Sequence, residues 1–341
     1  MMRLSTNHLL LALFAVLLVL PFLVPPFWTA NILGRALVYG LIAMSLTFLA
    51  SYGGFVSLAQ MMIAGVAGYT VAILGPTSIP MGAGLSWGLT IPIALVMATL
   101  AGLLVGVIAV RTMGIYLLMI TLALAVGFAL YVQANISVFN GYEGIRNVLG
   151  PQVLGRPFRD PFVFYYVSLA VCSLLFAGVL VLVRGPFGLV LQGLRDNPRR
   201  VSALGYNAAL HRIAAFGVAG FIAGCGGVLV CFYNIGISPG SIGLWASVNI
   251  LVMSVIGGLG HPIGAFAGAL IYVLFDTFAS SIYDRERFNT LIGLVFLVIV
   301  LVSPDGFLGI GKRLKESLQA RLSRRKPKAA APEPREEGPS T

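Results

Sequence analysis

Charge is what this sequence has least of. Only 10% of its 341 residues are Asp, Glu, Lys or Arg, against about 25% in a soluble chain of average composition. The deficit excludes an ordinary soluble enzyme and a disordered scaffold. Cysteine is scarce as well: Cys172, Cys225 and Cys231 all lie in apolar stretches, with neither metal-ligand spacing nor a disulfide framework. Ionisable residues are nearly absent from the long apolar runs, where Asp276 is the one acidic residue. His211 stands at the edge of a basic loop and His261 in a Gly-rich break. A carrier driven by protons needs an acid or histidine relay inside its bundle, and none is legible. A phosphate-binding loop is lacking too. Gly306 to Lys312 fits G-x-x-x-x-G-K, but Arg313 follows where Ser or Thr would hold magnesium. An apolar run and Pro304-Asp305 precede it instead of a strand. The sequence therefore predicts no nucleotide site, no metal site and no catalytic residue of its own.

What is present is hydrocarbon. Apolar residues make up 58% of the chain, and its mean hydropathy is +0.96. A membrane helix needs roughly 20 mostly apolar residues. Ten stretches qualify: 9–24, 31–50, 55–75, 88–110, 115–133, 162–183, 213–234, 246–257, 262–280 and 287–303. The eighth is short, which suggests a broken or re-entrant helix buried by protein. The first lacks a small-x-small cleavage site and ends in Pro25-Pro26-Phe27-Trp28, so it reads as an uncleaved span rather than a secretion signal. The expected fold is all-α, a polytopic transmembrane helical bundle of about ten spans. The 41 glycines, among them Gly102/Gly106, Gly220/Gly224 and Gly264/Gly268, suit close helix packing.

Lys and Arg set the orientation. With both termini in the cytoplasm, the loop 184–212, the tail after 304, Arg3 and Arg111 place 16 basic residues inside. Six remain outside: Arg35, Arg146, Arg156, Arg159, Arg285 and Arg287. The loop 134–161 splits the spans five plus five. An odd number per half gives an inverted-repeat topology, as many transporters have. The domain division is a permease unit over 1–311 and a basic, largely disordered cytoplasmic tail over 312–341 that could touch anionic lipid. Nine of the 22 basic residues sit in that tail, so the net charge of +11 is not a nucleic-acid groove.

The loop 184–212 is the most informative stretch. Asn197 and Pro198 fit the N-cap and first position of a helix, and Gly205 fits the residue past its end. Val201 and Leu204 lie three apart and so share a face. A short amphipathic helix of this kind is either a docking element or an interfacial helix lying on the membrane.

The motifs then resemble a known family. Leu49-Ala50-Ser51-Tyr52-Gly53-Gly54-Phe55-Val56-Ser57-Leu58-Ala59-Gln60, running on to Gly65, Gly68 and Tyr69, is similar to a stretch of the permease subunits of branched-chain amino acid ABC transporters. Ala59 replaces a usual glycine. Leu194 to Asn207 resembles that family's cytoplasmic coupling segment, and Gly141-Tyr142-Glu143-Gly144-Ile145 resembles an outer loop more loosely. Ile237-Ser238-Pro239, Val255 to Gly260 and Pro304 to Gly309 match three further stretches in order.

The resemblance implies a subunit of an ATP-driven importer for branched-chain amino acids or related small amino-acid or amide solutes, in a bacterial inner membrane. It implies a second homologous permease subunit, two cytoplasmic ABC ATPase subunits and a periplasmic solute-binding protein as partners. It assigns ATPase coupling to Arg195, Asp196, Asn197, Pro198, Arg199, Arg200, Val201, Ala203, Leu204 and Gly205. Candidate translocation-path residues are Ser57 and Gln60 on the third span and Thr121 on the fifth, with helix-to-helix hydrogen bonding as the alternative role of each. The competing reading is a passive channel or gradient-driven carrier of small neutral solutes, which would need no docking partner.

Overall fold

A computed structural model describes residues 14–76, 83–153, 155–282 and 293. Ten apolar or amphipathic helices carry the chain: α1 (Phe14–Leu23), α2 (Trp28–Gly53), α3 (Gln60–Leu74), α4 (Trp87–Ala109), α5 (Ile115–Ala134), α7 (Pro161–Arg184), α8 (Pro186–Asp196), α10 (Ala208–Tyr233), α11 (Leu244–Gly257) and α12 (Pro262–Ile282). The short α6 (Ile136–Phe139) and α9 (Pro198–Ala203) lie in connections. Six helical segments are long and apolar enough to cross a membrane: α2, α4, α5, α7, α10 and the Pro239–Gly257 segment that ends in α11. The bundle is therefore that of a polytopic membrane protein.

Burial sorts the helices. The apolar windows of α2 and α10 are 83% and 78% buried inside the chain, whereas those of α4, α5 and α7 are 28% buried. The first two are core helices, and the other three present most of their apolar surface outward. Glycine lets backbones meet at the centre. On α4 and α10, Gly102 and Gly220 face each other: a Cβ on Gly102 would lie 2.6 Å from Phe216 O and 2.9 Å from Gly220 Cα. Gly227 of α10 sits directly on the Ala64 carbonyl of α3, and Gly264 of α12 lies against Gly257 of α11. The small-residue spacings of the sequence are thus packing contacts.

Helix ends gather at two opposite ends of the bundle. At one, the loop end, the end of α2, the start of α10, the α4–α5 turn, the α11–α12 turn and α8–α9 meet. The other, the strand end, holds four two-residue strands that an all-α reading did not anticipate. β1 (Ile145–Arg146) pairs antiparallel with β4 (Gly236–Ile237), and β2 (Gln152–Val153) with β3 (Arg156–Pro157). The β1–β4 pair pins the 135–160 connection against the end of α10, and the β2–β3 pair closes a turn within it. Asp276, the acidic residue of the apolar runs, pairs there with Arg35 at 2.6 Å, so neither charge is left alone.

Two expected spans are corrected. The third is helical only from Gln60, because Gly54 takes φ +72° and residues 54–57 form no regular structure. The eighth starts earlier than expected: a 3-10 turn over Pro239–Ser241 leads into α11 at Leu244. The tenth candidate, apart from Gly293, and the 306–313 motif and 312–341 tail lie outside the described residues.

Candidate functional site

The loop-end site is built by local rules. Pro186 opens α8 after Gly185. Asn197 Oδ1 accepts from Arg200 N at 3.2 Å and caps α9, with Pro198 at its first position. Gly205 takes φ +87° and ends the turn. Asn207 Oδ1 then accepts from Leu210 N at 3.1 Å and caps α10. The predicted cap, first residue and stop are all in place.

The structure parts Val201 from Leu204. Val201 is 7% exposed and packs with Val190 and Leu194 of α8 and with Ala208. Leu204 is 76% exposed. The reason is geometric: α9 is short and folds back on α8, so only its α8-facing side is covered, and Leu204 has already left the helix as its C-cap. Leu204, Tyr206 and Leu210 form an exposed apolar apex within seven residues, flanked by the exposed Arg199, Arg200 and Ala203. His211 lies behind this apex, between the rings of Phe187 (6.0 Å) and Tyr206 (5.8 Å).

Two arginines tie this unit to the break between α2 and α3. Arg195 Nη1 donates to the Ser51 carbonyl, and Nε to Asp196 Oδ1 at 3.2 Å. Its stem lies over Gly54, where a Cβ would be 2.6 Å from Arg195 Cγ; a side chain at 54 would displace it. Ser51 Oγ in turn lies 2.6 Å from Leu259 O in the α11–α12 turn and 2.7 Å from Thr47 O. Arg212, one turn inside α10, is 7% exposed. Its guanidinium sits 5.0 Å over the Phe55 ring, and Nη1 donates to Val110 O at 3.5 Å. Among the described residues its Nε has no partner and no carboxylate pairs with it. Sequence reading counted Arg212 merely as a loop charge. The signal that marks it is a cation placed just inside an apolar helical run.

The three path candidates converge on the same break. Ser57 Oγ accepts from Ala59 N at 3.3 Å, and Thr121 Oγ1 accepts from Leu58 N at 3.1 Å. Gln60 Oε1 accepts from Ser45 Oγ at 3.0 Å, while Gln60 Nε2 is buried without a partner among the described residues. Thr121 thus holds α5 to the start of α3. All three side chains are buried, so they face protein in this conformation.

Residues 28–301 match the family model described as the permease component of the branched-chain amino acid transport system. The chain is 24% identical over 323 residues to the high-affinity branched-chain amino acid transport system permease protein LivM of Escherichia coli, covering 88% of this chain and 74% of that protein. It is 24% identical to the LivH permease protein of the same organism, over 81% of this chain and 89% of that one. It is also 23% identical to the ribose import permease protein RbsC of Haemophilus influenzae, over 83% and 86%. No solved structure matches.

Proposed function

This chain belongs to the family of branched-chain amino acid transport permease components, and on that premise we propose that it is one membrane-spanning subunit of an ATP-driven importer. Its cargo is a branched-chain amino acid or a related small amino-acid or amide solute. It pairs with a homologous permease, two cytoplasmic ATPases dock on its α8–α9 unit, and a periplasmic binding protein delivers the solute. The chain makes and breaks no covalent bond.

One observation carries the reading. An apolar apex of Leu204, Tyr206 and Leu210 stands exposed on a capped helix that is itself anchored. Val201 fixes the apex to α8, and Arg195 fixes α8 to Ser51 and Gly54. A push on the apex therefore reaches the α2–α3 break without passing through a flexible loop. Rocking of one half of a transporter against the other needs such a lever. Basic residues at 184, 195, 199, 200 and 212 favour the loop end as the cytoplasmic one. With that assignment the reading has ten spans and both termini inside.

The test is uptake of labelled leucine by the purified complex in liposomes, with ATP inside and the binding protein outside. ATP-dependent uptake supports the reading. Uptake that needs neither ATP nor a partner replaces it with a passive channel. The likeness to a ribose permease favours a second cargo class, small neutral sugars, and competition by ribose against leucine separates the two.

A further inference from the structure

At the strand end a pocket of about 310 Å³ opens between the first turns of α2, the approach to α7 and the end of α10, lined by Asn31, Phe158, Arg159, Phe164, Tyr233 and Ile235 among others. We propose that it is a binding site for a small zwitterion with a carboxylate and an aliphatic side chain, a free amino acid of leucine size. Ligand pockets run from about 300 Å³ upward, so this one suits a molecule at the small end.

The walls are rigid and apolar. Phe158 packs edge-on against Phe164 (5.7 Å) and Phe232 (5.2 Å), and Phe164 against Tyr233 (5.4 Å). The polar groups are few and unspent. Tyr233 donates its hydroxyl to Asn31 Oδ1 at 3.2 Å. That leaves the tyrosine oxygen as an acceptor and the Asn31 amide as a donor, with no partner among the described residues. Among the described residues Arg159 makes no ion pair, while its neighbours are matched: Arg156 with Asp160 at 3.6 Å and Arg146 with Glu143 at 3.0 Å. Asp160 is further occupied in capping α7, accepting from Phe162 N. Arg159 is exposed at the pocket, and a guanidinium beside an aromatic wall selects a carboxylate attached to an apolar body, since it can grip both oxygens at once.

The backbone at this pocket is irregular on both sides. Ile235 has φ +54°, a conformation a β-branched residue rarely takes. It is held there by Val148 N donating to Ile235 O at 3.2 Å and by the β1–β4 pairing that follows. Asn31 lies in the π-turn Trp28–Gly34. Backbone strain and π-turns gather at functional sites, and here both flank one cavity.

The identity of the ligand rests on the proposed cargo and orientation, which make the strand end the side where solute arrives. The test uses the whole transporter in lipid nanodiscs, without ATP or binding protein, and saturable binding of labelled leucine. Binding is expected to weaken at least tenfold in Arg159→Ala, to recover partly in Arg159→Lys, and to vanish in Phe158→Trp, which fills the pocket. Competition by 4-methylpentanoate, which keeps the carboxylate, should exceed that by 3-methylbutylamine, which lacks it. Absence of saturable leucine binding in the wild type overturns the site, as does binding indifferent to both Arg159→Ala and Phe158→Trp. Displacement of labelled leucine by phospholipid headgroups more strongly than by 4-methylpentanoate assigns the pocket to lipid and overturns it too. Leucine uptake by the same preparation, with ATP and binding protein restored, is measured in parallel. Uptake without nanodisc binding sinks the pocket alone. Binding lost in Arg159→Ala without any uptake sinks the cargo reading alone.

Discussion

Arg195 reaches across 144 sequence positions to donate a hydrogen bond to the backbone carbonyl of Ser51. The acceptor belongs to the last turn of α2, whose hydroxyl at the same residue contacts Leu259 O. One residue, Ser51, thus joins the α8–α9 unit, the end of a core helix and the α11–α12 turn. Such an arrangement has little give: movement of α8 must move the end of α2 or break the bond.

Replacing Arg195 by Ala is therefore expected to uncouple the transporter. A hydrogen bond to a charged group contributes about 1.5–3 kcal/mol, enough to change the coupled population by tenfold or more. Uptake should fall about tenfold while ATP hydrolysis by the complex persists, and Arg195→Lys should recover part of the loss. Parallel assays of uptake and phosphate release in liposomes read this directly. Equal loss of both activities would mean that Arg195 supports assembly rather than coupling.

Val201 and Leu204 should respond to Asp in opposite ways. At the buried Val201 a carboxylate would sit unpaired among Val190 and Leu194, costing about 3 kcal/mol or more. A lowered Tm and early proteolysis in the 184–212 loop are expected. Leu204→Asp touches nothing buried in the chain. Its Tm should match the wild type, while co-purification of the ATPases falls at least fivefold. If Leu204→Asp retains its ATPases and its uptake, the apex is not the docking surface.

These two residues also mark the boundary of what a sequence discloses. The cap at Asn197, the start at Pro198 and the stop at Gly205 follow from chemistry local to nine residues, and they were legible. Which side of α9 is covered depends on how α8 folds against it, and three-residue spacing alone cannot say. The same holds for Arg212, whose burial comes from Phe55 and Val110, both more than 100 positions away. Apolar length gave the long helices. It placed a break after residue 50 but could not give its length: one left-handed glycine at 54 with Arg195 packed over it keeps the chain non-helical until Gln60. The strands escaped notice because two-residue ladders carry no alternation.

Glycine substitutions should split by what faces them. Gly102→Val places methyl groups against Phe216 O and Gly220 Cα, and neither backbone can yield without parting α4 from α10. Overpacking of this kind costs about 1–3 kcal/mol, and a Tm drop of several degrees is expected. Gly178→Ala on α7 meets nothing within 4 Å, so removing backbone freedom should stabilise the helix by up to about 1 kcal/mol. Thermal unfolding of the purified chain, followed by tryptophan fluorescence or aggregation, compares the two. A neutral Gly102→Val would show that α4 and α10 can separate freely.

Arg212 invites the sharpest test, because its energetics and its proposed use point in opposite directions. It is a buried cation with an orphaned Nε and no carboxylate among the described residues to balance it. What holds it is the Phe55 ring at 5.0 Å and the Val110 carbonyl. Burial of charge opposes folding, and a cation over an aromatic face returns only about 0.5–2 kcal/mol. Methionine, of similar length and no charge, should therefore leave Tm unchanged or raise it. Yet Arg212 sits on the first turns of α10, directly after the docking unit, and grips the residue that follows the Gly54 break. Arg212→Met is expected to lower uptake several-fold despite its undiminished stability. Phe55→Leu should lower it similarly, and the double variant should be no worse than either single one, since both remove the same contact. A stability-matched Arg212→Met that transports at the wild-type rate would mean that the Arg212–Phe55 contact plays no part in coupling and would leave Arg195 as the arginine that carries it.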